Sequence, residues 1–143
     1  IEEKIAEFPE WEKEICMYWE RWEDMIGGAV EGMLDWICEL KKAGYKVYGL
    51  SNWSAETFPL VKDKFPVFKM MDGIVISGEE LIAKPDHRIY QILLNRYNLQ
   101  ANECVFVDDR QGNIDAAKEL GIHGITFINC EQAKNAFYHI IKN

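Results

Sequence analysis

Apolar and polar positions follow two different periods along the chain, which predict strands and helices in turn. Short runs rich in valine and isoleucine predict strands at 45–52, 72–77, 103–109 and 124–128. Around them, apolar residues spaced by three and four predict helices at 30–44, 54–65, 84–98, 112–121 and 130–142, the second of them interrupted by Pro59. Strands that are apolar on both faces and separated by helices are typical of a parallel sheet covered on both sides. The pattern therefore predicts an α/β fold.

The N-terminal segment is a further predicted helix, and its apolar face is largely aromatic. This stripe precedes the glycine-containing stretch IGGAVEG and consists of Trp11, Ile15, Tyr18, Trp19, Trp22 and Met25. Six apolar side chains at helical spacing give this segment a face that must be covered by other residues or by a ligand.

Composition and charge narrow the range of partners. The 143 residues suffice for one domain with a core, and their net charge is −8. An acidic chain without a basic stripe is a poor partner for nucleic acid or an anionic membrane. No apolar run approaches the roughly 18 residues of a membrane span, and no signal peptide is visible. A small anionic substrate stays open, because a local site can differ in sign from the whole protein.

The four cysteines predict a reducing compartment. Their spacings match neither a zinc site nor the disulfide framework of a secreted protein. We expect buried free thiols and a cytoplasmic location. The residues concerned are Cys16, Cys38, Cys104 and Cys130.

Polar residues lie in loops at the edge of the predicted sheet where parallel sheets commonly bind ligands. Ser51 and Asn52 end the first strand, and Lys84 lies in the loop before a helix. A hydroxyl, free backbone amides and a lysine suit a phosphoryl group. Taken alone, each of these residues also fits an ordinary turn, helix cap or solvated loop.

Two adjacent carboxylates, Asp108 and Asp109, end the third predicted strand, and Asn113 follows four residues after the second. Like charges side by side oppose each other's ionisation unless a cation compensates them. Mg²⁺ commonly takes one or two carboxylates and completes its ligand set with water and phosphate. Together with Lys84, the pair predicts a phosphoryl-transfer site with Mg²⁺, although a helix cap and turn explain the aspartates equally well.

The segments GLSNWS, AKPDHRIYQILL and CVFVDDRQGNIDAAKELGIHGITF resemble, in order and interval, three motifs of the haloacid dehalogenase (HAD) superfamily. The resemblance covers about residues 30–130. The double aspartate is similar to phosphatases of the glucose-1-phosphate phosphatase type and to epoxide hydrolase N-terminal domains. The resemblance implies a Rossmann-like three-layer core at 29–143, preceded at 1–28 by the C-terminal part of a helical cap. Within that cap, Trp11, Trp19 and Trp22 are expected to pack against cap residues; the alternative is that they face the active site and select the substrate.

The resemblance also implies roles for the candidate residues. Ser51 and the Asn52 amide would hold the phosphoryl group, and Lys84 would neutralise it. Asp109 would bind Mg²⁺, with Asp108 as a second ligand or beside the ligands. Asn113 would orient that ligand set. The implied activity is hydrolysis of a small phosphomonoester, such as a sugar phosphate, through an aspartyl-phosphate.

The family's first motif, Asp-x-Asp, is absent from the 143 residues. In the family its strand lies between those predicted at 45–52 and 103–109, so its absence would leave unpaired backbone groups facing a gap. Three alternatives stay open. A separate N-terminal piece supplies the strand, an upstream segment of the same protein supplies it, or the sheet closes differently.

Two other functions are compatible with the resemblance. A non-catalytic binding or regulatory module on the same fold would lack the first motif, but it would not need both Lys84 and Asp109. A 2-haloacid dehalogenase works without metal and differs in the fourth motif, so the double aspartate favours a phosphatase.

Overall fold

The computed structural model of the protein describes residues 2–21, 23 and 26–142. Its N-terminal part comprises helix α1 (Glu2–Glu7), a 3-10 helix (Pro9–Trp11) and helix α2 (Glu12–Arg21). The prediction of one continuous N-terminal helix is therefore wrong. Pro9 ends the first helix because it lacks a backbone N–H, and it opens the next turn, where none is needed.

Strands and helices alternate in the rest of the chain. The helices are α3 (Met33–Lys42), α4 (Phe58–Lys62), α5 (Pro66–Met70), α6 (Ser77–Glu80), α7 (His87–Arg96), α8 (Gln111–Glu119) and α9 (Cys130–Ile141). The strands are β1 (Tyr48–Ser51), β2 (Gly73–Ile76), β3 (Val105–Asp108) and β4 (His123–Thr126), and a 3-10 helix (Ala101–Glu103) precedes β3. The α/β prediction is confirmed.

The strands form two separate parallel pairs. β1 pairs with β2, so that Leu50 lies opposite Val75, and β3 pairs with β4, so that Val107 lies opposite Ile125. Among the described strands, no ladder joins β1 to β3. The sheet is thus divided at the position where the sequence predicts a gap, and the described strands do not close it by another route.

Helix packing holds the two strand pairs together. On one face, a buried cluster joins Val75 of β2 to Ile89 and Tyr90 of α7 and to Ala117 of α8, with Phe106 of β3 packed against it. On the other face, α3 contacts both α5 and α9. Its Trp36 is buried against residues of β4 and α9. Side chains therefore carry the connection that backbone hydrogen bonds make in an undivided sheet.

The segment between β1 and β2 differs from the prediction. Pro59 lies in the first turn of α4, where its missing N–H costs nothing, and it does not interrupt that helix. Pro66 opens α5 in the same way, and the four-residue α6 follows β2 directly. Neither α5 nor α6 was predicted, because elements this short depend on tertiary packing more than on their own periodicity.

The described residues of the aromatic stripe are largely exposed, so its packing within the cap stays a prediction. No residue of α1 or α2 is buried, and Trp11 and Tyr18 remain 55% and 62% exposed. Together these helices line a groove of about 520 Å³ with Lys4, Phe8, Trp11, Glu14, Ile15, Tyr18 and Trp19. A six-residue helix offers too little surface to cover such large side chains. Trp22 and Met25 lie outside the described residues.

The cysteines were predicted to be buried free thiols. All four are free, but each is only partly buried. No helix in the described ranges is long and apolar enough to cross a membrane.

Asp72 joins the two chain segments that lead into β1 and β2. Its Oδ2 accepts hydrogen bonds from the Val47 backbone N–H at 2.8 Å and from Lys41 Nζ at 2.9 Å. Its own N–H donates to the Val47 carbonyl at 2.7 Å. The hydrogen bond from Val47, followed by the one from Lys41, lowers the pKa of Asp72 below its usual value.

Replacing Asp72→Asn should destabilise the fold by about 1 kcal/mol at neutral pH, because the charged hydrogen bonds are lost but partly screened by solvent. The pKa of Asp72 is lower in the folded than in the unfolded state. Its contribution is therefore complete above about pH 4 and is lost as pH falls through the lowered pKa. Urea unfolding at several pH values measures this.

The matched control is Asp63→Asn, which removes another exposed carboxylate at a helix end. The assignment is contradicted if both variants follow the wild-type dependence of unfolding free energy on pH.

Candidate functional site

The carboxyl ends of β1 and β3 meet at a single buried ammonium group, that of Lys84. Its Nζ donates to the Leu50 carbonyl of β1 at 2.7 Å and to Asp108 Oδ2 of β3 at 2.7 Å. It also lies 5.4 Å from the centre of the Phe106 ring, a favourable cation–π distance. The Lys84 side chain is 9% exposed, so it bridges the divided sheet in a largely desolvated position.

Asp108 is fully engaged by its neighbours. While Oδ2 accepts from Lys84, Oδ1 accepts from the Arg110 backbone N–H and from Asn113 Nδ2, both at 2.9 Å. Burial raises the pKa of Asp108, but the hydrogen bonds from Lys84, Arg110 and Asn113 together outweigh it and leave the pKa below its usual value. This carboxylate is therefore held ionised with a side chain only 7% exposed.

Among the described residues, Asn113 is the only polar or charged one that is buried as a whole residue, backbone included. It lies in the first turn of α8, and its carbonyl accepts a hydrogen bond from the Tyr90 hydroxyl at 2.8 Å. Burial, with a smaller contribution from the negative charge of Asp108, raises the pKa of Tyr90 to about 12. Tyr90 therefore stays a neutral donor that fixes the start of α8.

Sequence reasoning missed Tyr90 and Phe106 as supports of the site. The Tyr90 ring packs edge-on against Phe106 at 5.4 Å, and Phe106 in turn lies beneath Lys84. The apolar periodicity of α7 places Tyr90 beside Ile89 on the buried face, but it carries no signal that the hydroxyl reaches α8.

Ser51 and Asn52 differ in whether their side-chain polar atoms are free to bind a ligand. Ser51 ends β1 half-buried, and its hydroxyl has no hydrogen-bond partner among the described residues. The Asn52 side chain is already occupied: Oδ1 accepts from the Lys84 N–H at 2.8 Å, and Nδ2 donates to the Lys84 carbonyl at 3.0 Å. A phosphoryl group could therefore meet the Ser51 hydroxyl and nearby backbone amides, but not a free Asn52 amide side chain.

Asp109 is the available carboxylate of the pair, because it is exposed and makes no side-chain hydrogen bond among the described residues. Within the described ranges, no cluster of three or more acidic, histidine or cysteine side chains could hold a metal alone. A single free carboxylate nevertheless fits Mg²⁺, which often keeps several waters and binds substrate phosphate. The donors present are therefore compatible with Mg²⁺ and incomplete without a phosphate or further ligand.

His87 and Arg88 follow Lys84 closely, but both contact carboxylates at the protein surface. His87 Nε2 lies 2.8 Å from Glu119 Oε2, and Arg88 pairs with Asp86, the residue that caps α7. These contacts direct both side chains to partners on the protein.

Comparison with known proteins identifies related chains. A protein-family model described as haloacid dehalogenase-like hydrolase matches residues 3–121. A sesquiterpene phosphatase of Aspergillus oryzae is 33% identical over 93 residues, covering 65% of this chain and 47% of the phosphatase. An (S)-2-haloacid dehalogenase of Burkholderia cepacia is 30% identical over 87 residues, covering 61% of this chain and 38% of the dehalogenase. The chain thus spans less than half the length of both relatives.

Solved structures show a similar fold. The wild-type HAD family enzyme from Bacteroides thetaiotaomicron, in complex with magnesium and inorganic phosphate, matches with a TM-score of 0.64 at 29% identity. The match covers 73% of this chain and 55% of that enzyme. The shared fold agrees with the α/β arrangement of strands and helices described above.

Replacing Lys84→Met should cost about 3–5 kcal/mol of stability at neutral pH, because it leaves the buried Asp108 carboxylate without its charged partner. In the variant, burial raises the pKa of Asp108, so acidification should protonate the carboxyl and reduce the cost. Urea unfolding at pH values above and below that transition measures both effects.

The double variant Lys84→Met with Asp108→Leu should recover part of the lost stability, since it removes the stranded charge. If Lys84→Met alone unfolds at the wild-type urea midpoint, the ion pair does not have the energetic role assigned to it.

Proposed function

The chain belongs to the haloacid dehalogenase-like hydrolases, and we propose that it forms the core of a Mg²⁺-dependent phosphatase acting on a small phosphomonoester. The observation that carries the proposal is the desolvated Lys84 ammonium, which donates to the carbonyl of Leu50, the residue before the unpartnered Ser51, and to Asp108, the residue before the exposed Asp109. A desolvated cation stabilises developing negative charge far better than a solvated one.

Each proposed role follows from what its group can donate or accept. The Ser51 hydroxyl and the Asn52 backbone N–H would bind phosphoryl oxygens at the end of β1. The Lys84 ammonium, which has three hydrogens and donates two of them to Leu50 and Asp108, can direct the third at the phosphoryl group or the nucleophile. Asp108 keeps Lys84 in place, and Asn113 keeps Asp108 in place.

Asp109 would hold Mg²⁺, with Asp108 beside it, because Asp109 alone of the two has unused oxygens on an exposed side chain. When bound, Mg²⁺ would neutralise negative charge on the phosphoryl oxygens. A related enzyme of known structure binds magnesium and phosphate together, which supports the same pairing here.

The nucleophile would come from a strand that completes the sheet between β1 and β3. Both strands have an edge there without a ladder partner among the described residues. The buried indole N–H of Trp36, on α3, also has no hydrogen-bond partner among the described residues. A segment bearing Asp-x-Asp, whether upstream in the same protein or separate, would supply the backbone partners and the attacking carboxylate.

With the N-terminal segment turned toward Lys84, its aromatic groove would suit a phosphomonoester with an apolar portion better than a sugar phosphate. Its lining is aromatic and aliphatic apart from Lys4 and Glu14, and its size suits a small organic molecule. The Aspergillus relative is named as a phosphatase of a sesquiterpene, which is also apolar. These two observations support this choice of substrate class.

Replacing Asp109→Asn should weaken Mg²⁺ binding at least about tenfold, as expected for loss of an anionic ligand, and reduce Mg²⁺-dependent binding of inorganic phosphate in parallel. Isothermal titration calorimetry with MgCl₂ and then phosphate measures both. Asp115→Asn is the matched control, since it removes an exposed carboxylate from the neighbouring helix α8. Equal Mg²⁺ affinity in wild type and Asp109→Asn would show that another group holds the metal.

The protein together with its upstream coding segment should hydrolyse p-nitrophenyl phosphate in the presence of Mg²⁺ and lose that activity with EDTA. It should release no chloride from 2-chloropropionate, because Asp108 and Asp109 suit a metal-dependent phosphatase. Chloride release that is insensitive to EDTA would instead favour a dehalogenase. No turnover of either compound, with no Asp-x-Asp upstream, would favour a non-catalytic module.

A further inference from the structure

The first residues of α6 hold the loop that follows β1 through hydrogen bonds. The Trp53 carbonyl accepts two hydrogen bonds, from the Gly78 backbone N–H at 2.9 Å and from Ser77 Oγ at 3.2 Å. The Trp53 ring is held as well, since Nε1 donates to Thr57 Oγ1 at 3.0 Å and the ring packs against Phe58. The loop therefore has a defined position directly after Ser51 and Asn52.

Gly78 allows the loop and α6 to approach closely. A Cβ at this position would lie 2.3 Å from the Ala55 nitrogen and 2.8 Å from the Trp53 carbonyl oxygen. Both are backbone atoms, so no side-chain rotation could relieve the overlap. Any larger residue at position 78 must therefore move the loop, α6 or both.

The same loop fixes the backbone of Lys84 through one side chain. Asn52 makes two hydrogen bonds to Lys84, accepting from its N–H and donating to its carbonyl. This two-point contact matches the donor and acceptor of a single residue, much as a neighbouring strand would. It uses both polar ends of the Asn52 amide.

A lysine side chain has four rotatable bonds and loses rotamer entropy when it is fixed. Restraining the Lys84 backbone reduces the number of side-chain conformations available, which favours the one whose ammonium lies 2.7 Å from both the Leu50 carbonyl oxygen and Asp108 Oδ2. Asn52 restrains the Lys84 backbone through its two hydrogen bonds. Gly78 allows the close contact between α6 and the loop that carries Asn52.

We propose that Asn52 and Gly78 are positioning residues that hold Lys84 at the phosphoryl site, and that the Asn52 side chain does not itself bind substrate. α6 holds the Trp53 carbonyl and thereby the loop that carries Asn52. Asn52 in turn holds the Lys84 backbone. The part of this proposal that concerns phosphate rests on the proposed function; the part that concerns Lys84 does not.

The test measures the accessibility of Lys84 separately from phosphate binding. The variants are Asn52→Ala, Asn52→Asp and Gly78→Ala, with Gly112→Ala as the control because a Cβ there meets no atom within 4 Å. Each folded protein is treated briefly with an amine-reactive reagent, and mass spectrometry compares modification of Lys84 with that of exposed Lys142. Calorimetry with inorganic phosphate and Mg²⁺ is run on the same samples.

In Asn52→Ala, Lys84 should be modified roughly tenfold faster than in wild type, the effect of losing two hydrogen bonds of ordinary strength. Asn52→Asp keeps the acceptor for the Lys84 N–H and should give an intermediate rate. Gly78→Ala should resemble Asn52→Ala, and Gly112→Ala should resemble wild type. Phosphate affinity should fall in the same order, while the melting temperature of Asn52→Ala stays near that of wild type because this residue is exposed.

A wild-type rate of Lys84 modification in Asn52→Ala would overturn the proposal, even if Gly78→Ala fails to fold. Faster modification of Lys84 with no phosphate binding by any sample, wild type included, would support the positioning roles and refute the proposed function. Faster modification with undiminished phosphate affinity would refute the link between Lys84 placement and phosphate.

Discussion

The ion pair between Lys84 and Asp108 is the interaction on which the site and the divided sheet both depend. Removing each of these charges from water costs several kcal/mol, which their mutual attraction offsets only if the remaining polar atoms also find partners. Those partners are present: Leu50 accepts from the ammonium, and Asn113 and Arg110 donate to the carboxylate. Because Leu50 belongs to β1 and Asp108 to β3, the same contacts bridge two strands that share no backbone ladder.

The net charge of −8 does not set the electrostatic field at Lys84, because this cation is desolvated and held by close neighbours. Screening by salt weakens the field of distant surface carboxylates over about 10 Å, whereas Lys84 acts at contact distance in a poorly solvated position. Much of the surrounding structure serves this one group. Phe106 lies beneath the ammonium, Asn52 restrains the backbone, and Gly78 admits the loop that carries Asn52.

The sequence pattern predicts what depends on local regularity and misses what depends on distant contacts. The four strands and the helices α3, α7, α8 and α9 were found because their apolar spacing repeats over enough residues. The sequence predicts that Lys84 and the two aspartates lie at one edge of the sheet, but not that Lys84 forms a direct ion pair with Asp108, 24 residues away. The two-point contact of Asn52 with Lys84 carries no sequence signal either. The short helices α5 and α6 likewise depend on packing around β2. Periodicity predicts which residues share one face of a helix, but not whether other residues cover that face. The exposure of the aromatic stripe therefore could not be predicted from the sequence.

Strand geometry explains how two adjacent carboxylates can end a buried strand. Successive side chains of a strand point to opposite faces, so neighbours need not share an environment. Asp108 is the last residue of β3 and turns toward Lys84, where three donors keep it ionised. Asp109 lies one residue beyond the strand and is exposed. The pair thus divides into a carboxylate that organises the site and a carboxylate free to bind a cation, which removes the conflict between two like charges side by side.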